Sequence, residues 1–268
     1  MIIGRHEIHF VDFHRWWQKI NDGTIDLILT DPPYGLQLRK FEWDIKPDFA
    51  VLAWIFHQLL THSGAIAIIH NPALTSELEL AFAKYFVRKY IEVWLKPSAL
   101  VKHKDRPKPD LDFVSVFYRK RGKMADHVFN WEEIAEVGEP WKRKNKNLEN
   151  TTLMTKKRRI DVNESGLRHP SSYIPVVNRP AMTRVEMEGV THPMQKDISA
   201  VTRLIKLLSN PGDLVLDPYM GSGTTMVAAE RTARRSIGFE IDESNYLEAE
   251  ARLANEVCLA EQVSPDGG

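Results

Sequence analysis

"DLVLDPYMGSGTTMVAAE", residues 213–230, places a strand, a glycine turn and the start of a helix one after another. The apolar run predicts a strand that ends at Asp217, and Thr224 opens the helix. Between them, Gly221 and Gly223 allow the backbone to turn tightly and to approach a ligand closely, while the helix N-terminus offers unpaired amide groups. A plain connection between a strand and a helix accounts for the turn equally well.

Two common nucleotide-binding patterns do not fit this turn. The phosphate-binding loop requires Lys directly after its last glycine, where this chain has Thr224, and the spacing G-x-G-x-x-G does not occur here. Further along, "IGFEID" ends another predicted strand at Glu240, a position from which an acidic side chain can bind a ribose diol. The turn and the strand-end acid together indicate an adenosyl ligand.

Strands and helices alternate in two regions of the chain. The first region contains helices in "DFHRWWQKI", "FAVLAWIFHQLL" and "SELELAFAKYF", and strands at residues 25–30 and in "GAIAIIH", "YIEVWLK" and "DFVSVFYRK". The second contains a helix at residues 198–208, the strand and helix of the opening segment, the strand "SIGFE", and a helix at residues 244–259. Strands separated by helices predict a mostly parallel sheet that is covered on both faces.

Residues 122–190, between these regions, have a different composition. They contain few apolar runs, several prolines and the basic clusters "KRKNK" (142–146) and "KKRR" (156–159). From residue 96 to 160 there are seventeen Lys or Arg against nine Asp or Glu, whereas the whole chain has 36 of each kind. A solvated loop region and an insert that binds a polyanion both explain this local excess.

Composition limits the classes of protein that remain. A chain of 268 residues with 43% hydrophobic residues can bury one large core, alone or with a smaller subdomain. The N-terminal residues do not read as a signal peptide, and no apolar run reaches the ~18 residues typical of a membrane span, so we expect neither. The single cysteine, Cys258, excludes an internal disulfide framework and fits a reducing cytoplasm. The histidines show no metal-ligand spacing, so we expect no metal.

The segment "LILTDPPYGL", residues 27–36, ends a predicted buried strand abruptly. Pro32 and Pro33 lack backbone donors, so the sheet cannot continue beyond Asp31. In an open parallel sheet, ligands bind beyond the carboxyl ends of the strands. Asp31 and Asp217 are therefore expected to share a pocket although they are far apart in sequence.

With both segments considered, the chain resembles the S-adenosylmethionine-dependent DNA amino-methyltransferases, the N6-adenine and N4-cytosine family, in the permuted order called the beta class. Asp31 to Tyr34 resembles the catalytic motif, "DPYMGSGTT" the cofactor loop, and "HPMQKD", residues 192–197, the motif usually written His-Pro-x-Gln-Lys-Pro. The motif order also matches. Tyr219 stands where Phe is common in the family, and Asp197 where the second Pro is common.

The resemblance implies a fold and a set of ligands. The fold is α/β, a doubly wound, mostly parallel, Rossmann-like methyltransferase sheet built from both ends of the chain. Residues 1–121 form the catalytic half, residues 122–190 a target-recognition insert and residues 191–268 the cofactor-binding half. The implied cofactor is S-adenosyl-L-methionine, the substrate double-stranded DNA and the location cytoplasmic. A homodimer and a cognate restriction endonuclease are partners that the resemblance leaves open.

The resemblance also implies roles for individual residues. The Asp31 carboxylate and a backbone carbonyl of the Pro32 and Pro33 pair would accept hydrogen bonds from the target amine, and Tyr34 would stack on a flipped base. The residues expected around the cofactor are Asp12, Phe13, Asp31, His192, Gln195, Lys196, Asp217, Tyr219, Gly221, Ser222, Gly223, Thr224 and Glu240. Those expected to contact DNA are Lys142, Arg143, Lys144, Lys146, Lys156, Lys157, Arg158 and Arg159. Core packing is the alternative for Tyr34, and an exposed turn position the alternative for Asp12.

The expected target atom is the exocyclic amine of adenine, because family members that act on cytosine more often carry Ser where this chain has Asp31. N4-cytosine methylation is the alternative. A non-catalytic nucleic-acid-binding module with a methyltransferase fold is a second alternative, although neither the catalytic tetrad nor the glycine turn is broken. RNA, a protein glutamine and a small molecule are further substrates, and the basic middle segment disfavours the last of these.

Overall fold

A computed structural model describes residues 1–35, 45–95, 110–120, 126–144, 160–163, 165–175 and 196–263. The strands in these ranges are β1 (Ile2–Ile3), β2 (His6–Phe10), β3 (Ile25–Thr30), β4 (Leu60–His70), β5 (Phe86–Leu95), β6 (Leu111–Arg119), β7 (Glu136–Val137), β8 (Trp141–Lys144), β9 (Ile160–Asn163), β10 (Leu167–Arg168), β11 (Tyr173–Pro175), β12 (Leu214–Asp217) and β13 (Arg235–Glu240). The helices are α1 (Phe13–Trp16), α2 (Phe49–Leu59), α3 (Thr75–Phe82), α4 (Ile198–Leu208), α5 (Thr224–Arg231) and α6 (Glu243–Val263).

One large sheet combines both ends of the chain. Its strand order is β1-β2-β13-β12-β3-β4-β6-β5-β11, so two strands of the C-terminal region lie between β2 and β3 of the N-terminal region. The pairs from β2 through β4 are parallel, whereas β6 is antiparallel to both β4 and β5. The expected α/β class and the doubly wound, mostly parallel sheet are confirmed.

The central strand β3 is buried on both faces. Leu27 and Leu29 pack with residues of α4 and α5 on one face, and Ile25 and Ile28 pack with residues of α2 and α3 on the other. Burying each such side chain stabilises the fold by about 1.5–3 kcal/mol. This two-sided burial explains why residues 27–29 form a continuous apolar run rather than an alternating pattern.

Strand β2 was not expected from the sequence, because its histidines and glutamate hide the apolar pattern. His6 is fully buried, with Nε2 2.7 Å from Glu230 Oε2 and Nδ1 2.7 Å from Ser236 Oγ. Burial lowers the pKa of His6, and the Glu230 carboxylate partly offsets that effect. The strand pairs in parallel with β13 and places Phe10 opposite Glu240. The N-terminal segment is thereby held next to the carboxyl end of β13.

Helix α1 is also shorter than the sequence predicts. The pattern in "DFHRWWQKI" indicates one helix, but the structure has one α-helical turn followed by a 3₁₀ turn over Trp17–Lys19. Asp12 caps α1, since its Oδ1 accepts a hydrogen bond from the His14 amide at 2.9 Å. The cap fixes the direction in which the chain leaves β2.

Parts of the middle stretch contribute further strands. β8 pairs with β9 and β7 with β10, both antiparallel, while β11 joins the large sheet parallel to β5. The division of the chain at residues 122 and 190 stays a prediction. Within the described ranges, no helix combines the length and apolar character needed to cross a membrane.

Candidate active site

A pocket of about 370 Å³ lies at the carboxyl ends of the parallel strands. Asp31 directly follows β3, Asp217 is the last residue of β12, and Glu240 is the last of β13. Leu216 of β12 is in register with Ile28 of β3, so the strand-end residues lie at the same edge of the sheet. Asp31 and Asp217 both line the pocket.

Most of the residues expected at the site meet in this pocket. Those that line it are Asp12, Phe13, Asp31, Pro32, Pro33, Tyr34, Lys196, Asp217, Tyr219, Gly221, Ser222, Thr224 and Glu240. Gly223 is the N-cap residue of α5 and is not part of the lining. His192 and Gln195 lie outside the described residues. The roles of all of them stay predictions.

Asp31 is bound on both carboxylate oxygens. The Tyr34 hydroxyl donates a hydrogen bond to Oδ1 at 2.5 Å, and Lys196 Nζ lies 2.8 Å from Oδ2. Lys196 Nζ also lies 3.4 Å from Oδ2 of Asp112, a residue of β6. The Asp31 side chain is 27% exposed, so it can still meet a ligand in the pocket.

Burial and the carboxylates of Asp31 and Asp112 determine the protonation states of Tyr34 and Lys196. Burial raises the pKa of Tyr34 well above its ordinary value, and the carboxylates of Asp31 and Asp112 raise it further. Burial acts to lower the pKa of Lys196, but the same two carboxylates outweigh it, and the pKa lies above its ordinary value. At neutral pH, Tyr34 therefore remains a hydrogen-bond donor and Lys196 a cation.

Asp217 is a buried carboxyl at the middle of the site. Its Oδ2 accepts a hydrogen bond from Thr225 Oγ1 at 2.6 Å, and its Oδ1 accepts one from the Tyr219 amide at 3.1 Å. Burial raises the pKa of Asp217 to about 7, and the charge of Asp31 acts in the same direction. Its charge is therefore sensitive to pH in the neutral range.

Glu240 is fixed by the backbone that follows it. Its Oε1 accepts hydrogen bonds from the amides of Ile241 and Asp242 at 2.7 and 2.8 Å. Burial raises the pKa of Glu240, and these amide contacts oppose that effect. The Glu240 carbonyl accepts a hydrogen bond from the Val11 amide at 3.0 Å, which holds the Asp12 segment beside β13.

The glycine turn has a geometry that requires glycine. Gly221 and Gly223 have φ values of 52° and 78°, which side chains disfavour. A Cβ at Gly223 would also lie 2.8 Å from the Cβ of Ala249 in α6. Close packing against the last helix therefore sets the position of the turn.

Arg252, also in α6, makes polar contacts with the turn. Its Nη1 donates a hydrogen bond to the Ser222 carbonyl, lies 3.0 Å from Ser222 Oγ, and lies 3.5 Å from Thr224 Oγ1. The turn is thereby fixed by packing and by a cation at the same place.

Comparison with known proteins decides the family. A family model of N6 and N4 methyltransferases, described as DNA methylase, matches residues 25–251. The chain belongs to the DNA methylase family. The matched residues include the Asp-Pro-Pro-Tyr segment and the glycine turn, so the resemblance to the family seen in the sequence is confirmed.

Two curated proteins of Escherichia coli K12 are related to this chain. The DNA adenine methyltransferase YhdJ is 27% identical over 244 residues, which cover 86% of this chain and 76% of that protein. The putative methylase YubD is 28% identical over 144 residues, 50% of this chain. The second match spans 63% of that relative's length, which is less than two thirds.

Solved structures share the fold of this chain. The M1.HpyAVI complex with S-adenosylmethionine has a TM-score of 0.61 at 21% identity, covering 92% of this chain and 100% of that one. The cytosine-N4-specific PvuII DNA methyltransferase has a TM-score of 0.68 at 16% identity, covering 97% and 92%. A putative DNA modification methylase of Thermus thermophilus, complexed with S-adenosyl-L-methionine, has a TM-score of 0.58 at 19% identity, covering 94% and 96%.

Three contacts at this site were missed by the motifs. His14 lines the pocket, with Nε2 2.8 Å from the Tyr219 hydroxyl. Asp112 binds Lys196, and Arg252 binds the glycine turn. An acid near the start of β6, a strand whose other residues are mostly apolar, was a sequence signal for Asp112. No local signal marked the other two, because their partners are distant in the chain.

The expected DNA-contacting residues are only partly described. Lys142, Arg143 and Lys144 lie on β8. Lys146, Lys156, Lys157, Arg158 and Arg159 lie outside the described residues. Within the described ranges, no group of acids, histidines and cysteine could hold a metal ion.

Proposed function

We propose that this chain is a site-specific methyltransferase that transfers a methyl group from S-adenosylmethionine to the N6 amine of adenine in duplex DNA. One observation carries the proposal: the Asp-Pro-Pro-Tyr tetrad and the two strand-end acids Asp217 and Glu240 line a single pocket. An acceptor for an amine and a site for an adenosyl ligand are thus combined.

The pocket residues fit S-adenosylmethionine. A volume of about 370 Å³ lies within the range of small-molecule sites. Glu240 would hold the ribose hydroxyls with its fixed carboxylate, and Asp12 would contact the adenine. The buried Asp217 carboxyl would complement a positive charge. When bound, this cofactor supplies an activated methyl group on a sulfonium.

Asp31 is suited to activate an exocyclic amine, whose lone pair is delocalised into the ring. Its oxygens accept from Tyr34 and face Lys196, but each carboxylate oxygen has a second lone pair for the amine. A hydrogen bond to Asp31 and one to a carbonyl of the proline pair favour a pyramidal nitrogen, and the carboxylate stabilises the developing positive charge. Catalysis then consists largely of positioning for in-line transfer.

Tyr34 would receive the flipped base. A base within a duplex cannot reach a pocket, and flipping it costs a few kcal/mol, which stacking on an aromatic ring helps to offset. The hydrogen bond of the Tyr34 hydroxyl to Asp31 fixes the ring next to the acceptor. Stacking and amine recognition would therefore occur side by side.

Duplex DNA as the substrate is supported by the family and by charge. The excess of basic residues between positions 96 and 160 overlaps the first part of the stretch expected to recognise the target, residues 122–190. Lys and Arg side chains there would neutralise phosphates and release counterions. A homodimer, a cognate restriction endonuclease and a cytoplasmic location stay predictions.

Adenine is preferred over cytosine for two reasons. The tetrad begins with Asp31, and the relative YhdJ is named a DNA adenine methyltransferase. Cytosine N4 methylation is the second candidate, because the PvuII enzyme of that specificity shares the fold. Both reactions need the same pair of acceptors on an amine, so the mechanism is common to them.

The test is to methylate duplex DNA of mixed sequence with a cofactor labelled in its methyl group and to separate the nucleosides after digestion. We expect the label in N6-methyladenine. Label in N4-methylcytosine would transfer the proposal to the second candidate. An RNA of the same sequence is the parallel substrate, and label found only there would refute DNA as the substrate.

A further inference from the structure

Lys196 lies between two carboxylates at the catalytic end of the pocket. Its Nζ is 2.8 Å from Asp31 Oδ2 and 3.4 Å from Asp112 Oδ2. The two acids differ in accessibility, since the Asp31 side chain is 27% exposed and that of Asp112 only 2%. Asp112 is not among the residues that line the pocket, so it meets the site through Lys196.

The contact of Lys196 with Asp31 creates a problem for the proposed chemistry. Asp31 is to stabilise positive charge that develops on the target amine. An ammonium group held against the same carboxylate cancels its charge and repels a second cation nearby. Lys196 alone would thus weaken the acceptor on which the reaction depends.

We propose that Asp112 is a positioning residue for methyl transfer, which holds Lys196 and balances its charge so that the site stays net negative around Asp31. The proposal rests on the proposed function. With both acids ionised and Lys196 charged, the cluster has one net negative charge. Without Asp112 it is neutral, and Lys196 has one anchor fewer.

The location of Asp112 supports a role beyond packing. It lies near the start of β6, whose following residues Val114, Val116 and Phe117 belong to the core. A carboxylate buried in such a strand destabilises the fold unless it is paired, and apolar residues of similar volume are often as stable as the pair. The nearby His70 ring contacts Ser115 Oγ at 2.8 Å and the Asn71 carbonyl at 2.9 Å.

A second buried ion pair provides a matched control. Glu92 on the neighbouring strand β5 has a side chain that is 3% exposed, and Arg203 Nη1 lies 2.6 Å from its Oε1. Glu92 is not among the pocket-lining residues. Glu92→Gln therefore neutralises an equally buried carboxylate without changing the charge beside Asp31.

The experiment compares Asp112→Asn, Lys196→Gln, the double variant and Glu92→Gln in the full chain. Single-turnover methylation of duplex DNA is measured at saturating cofactor, together with the Kd for S-adenosylmethionine by calorimetry. We expect Asp112→Asn to slow the turnover by roughly 10-fold to 100-fold, which is less than the roughly 10²–10³ lost with a group that contacts the transition state directly, because Asp112 acts through Lys196. The Kd should change much less. In the Lys196→Gln background, Asp112→Asn should cause little further loss, because the cation through which it acts is absent.

Several results would overturn the inference. An Asp112→Asn variant that turns over at the wild-type rate, or whose loss persists in full in the Lys196→Gln background, excludes action through Lys196. Asp112→Ser is prepared as a second neutral variant. If both unfold while Glu92→Gln folds, the role of Asp112 is structural only. An inactive wild-type chain refutes the proposed function itself. If the wild type is active but the variants give one of the results above, only the role of Asp112 is refuted and the proposed function stands.

Discussion

Replacing Asp217 by Asn should destabilise the protein slightly at pH 4 and stabilise it at pH 8. The Asp217 side chain is buried at the end of β12, and burial raises its pKa from an ordinary 3.8 to about 7. The folded protein therefore binds this proton more tightly than the unfolded chain does. The contribution of Asp217 to the free energy of unfolding is largest below about pH 4. It is lost progressively as the pH rises to about 7.

The size of the effect follows from the interval between the two pKa values. At about 1.4 kcal/mol per pKa unit, the interval from 3.8 to about 7 corresponds to at most ~4 kcal/mol of lost stability above pH 7. Asn does not titrate, so this loss disappears in the variant. Its amide fits the Thr225 hydroxyl less well than a carboxyl does, which costs roughly 1 kcal/mol at every pH. Asp217→Asn should thus be slightly less stable than wild type at pH 4, slightly more stable at pH 5 and about 3 kcal/mol more stable at pH 8.

The assay is urea unfolding of the cofactor-free protein at several pH values from 4 to 8. The exposed Asp22, replaced by Asn, is the control, and its curve should run parallel to that of the wild type. The reasoning is refuted if the difference in unfolding free energy between Asp217→Asn and wild type is the same at pH 5 and pH 8.

Three further predictions concern the cofactor turn and the DNA. Glu240→Ala should weaken S-adenosylmethionine binding at least tenfold by calorimetry, since a charge-assisted hydrogen bond to the ribose is lost (about 1.5–3 kcal/mol), while the exposed Glu243→Ala should not. Gly223→Ala should lower the unfolding free energy in chemical denaturation by more than Gly221→Ala does. Both positions have positive φ, which costs a residue with a side chain about 1–2 kcal/mol, but only a Cβ at position 223 would also meet Ala249. Equal losses would contradict the packing argument. Neutralising Lys156–Arg159 should reduce the slope of log affinity against log salt by about 0.9 per phosphate contact in DNA-binding titrations, and an unchanged slope would make the cluster a solvated surface.

The sequence predicted the elements that have a clear apolar pattern, either a buried run or a helical period. The strand at 25–30 and the helix at 198–208 were predicted with the bounds that the structure has. Strand β2 was missed because His6 is buried through two polar contacts, which no hydrophobic pattern reveals. A buried histidine is recognisable only when its distant partners are known.

The site was predictable where local motifs form it. Asp31 and Asp217 were placed in one pocket by the rule that ligands bind at the carboxyl edge of a parallel sheet. Asp112 and Arg252 were not recognised as site residues, because each acts on a residue of another element that is at least 28 positions away. Such contacts depend on how the elements pack, and no local spacing encodes them.

Activation of the adenine amine by Asp31 in duplex DNA is tested most directly by long-read sequencing of DNA from a methylation-free host, because the modified base and its sequence context are read together. Expression of the wild-type chain should produce N6-methyladenine in one recurring context, and expression of Asp31→Ala at equal protein level should produce none. Modified cytosine in place of adenine, or the same adenine signal from Asp31→Ala, would contradict the account.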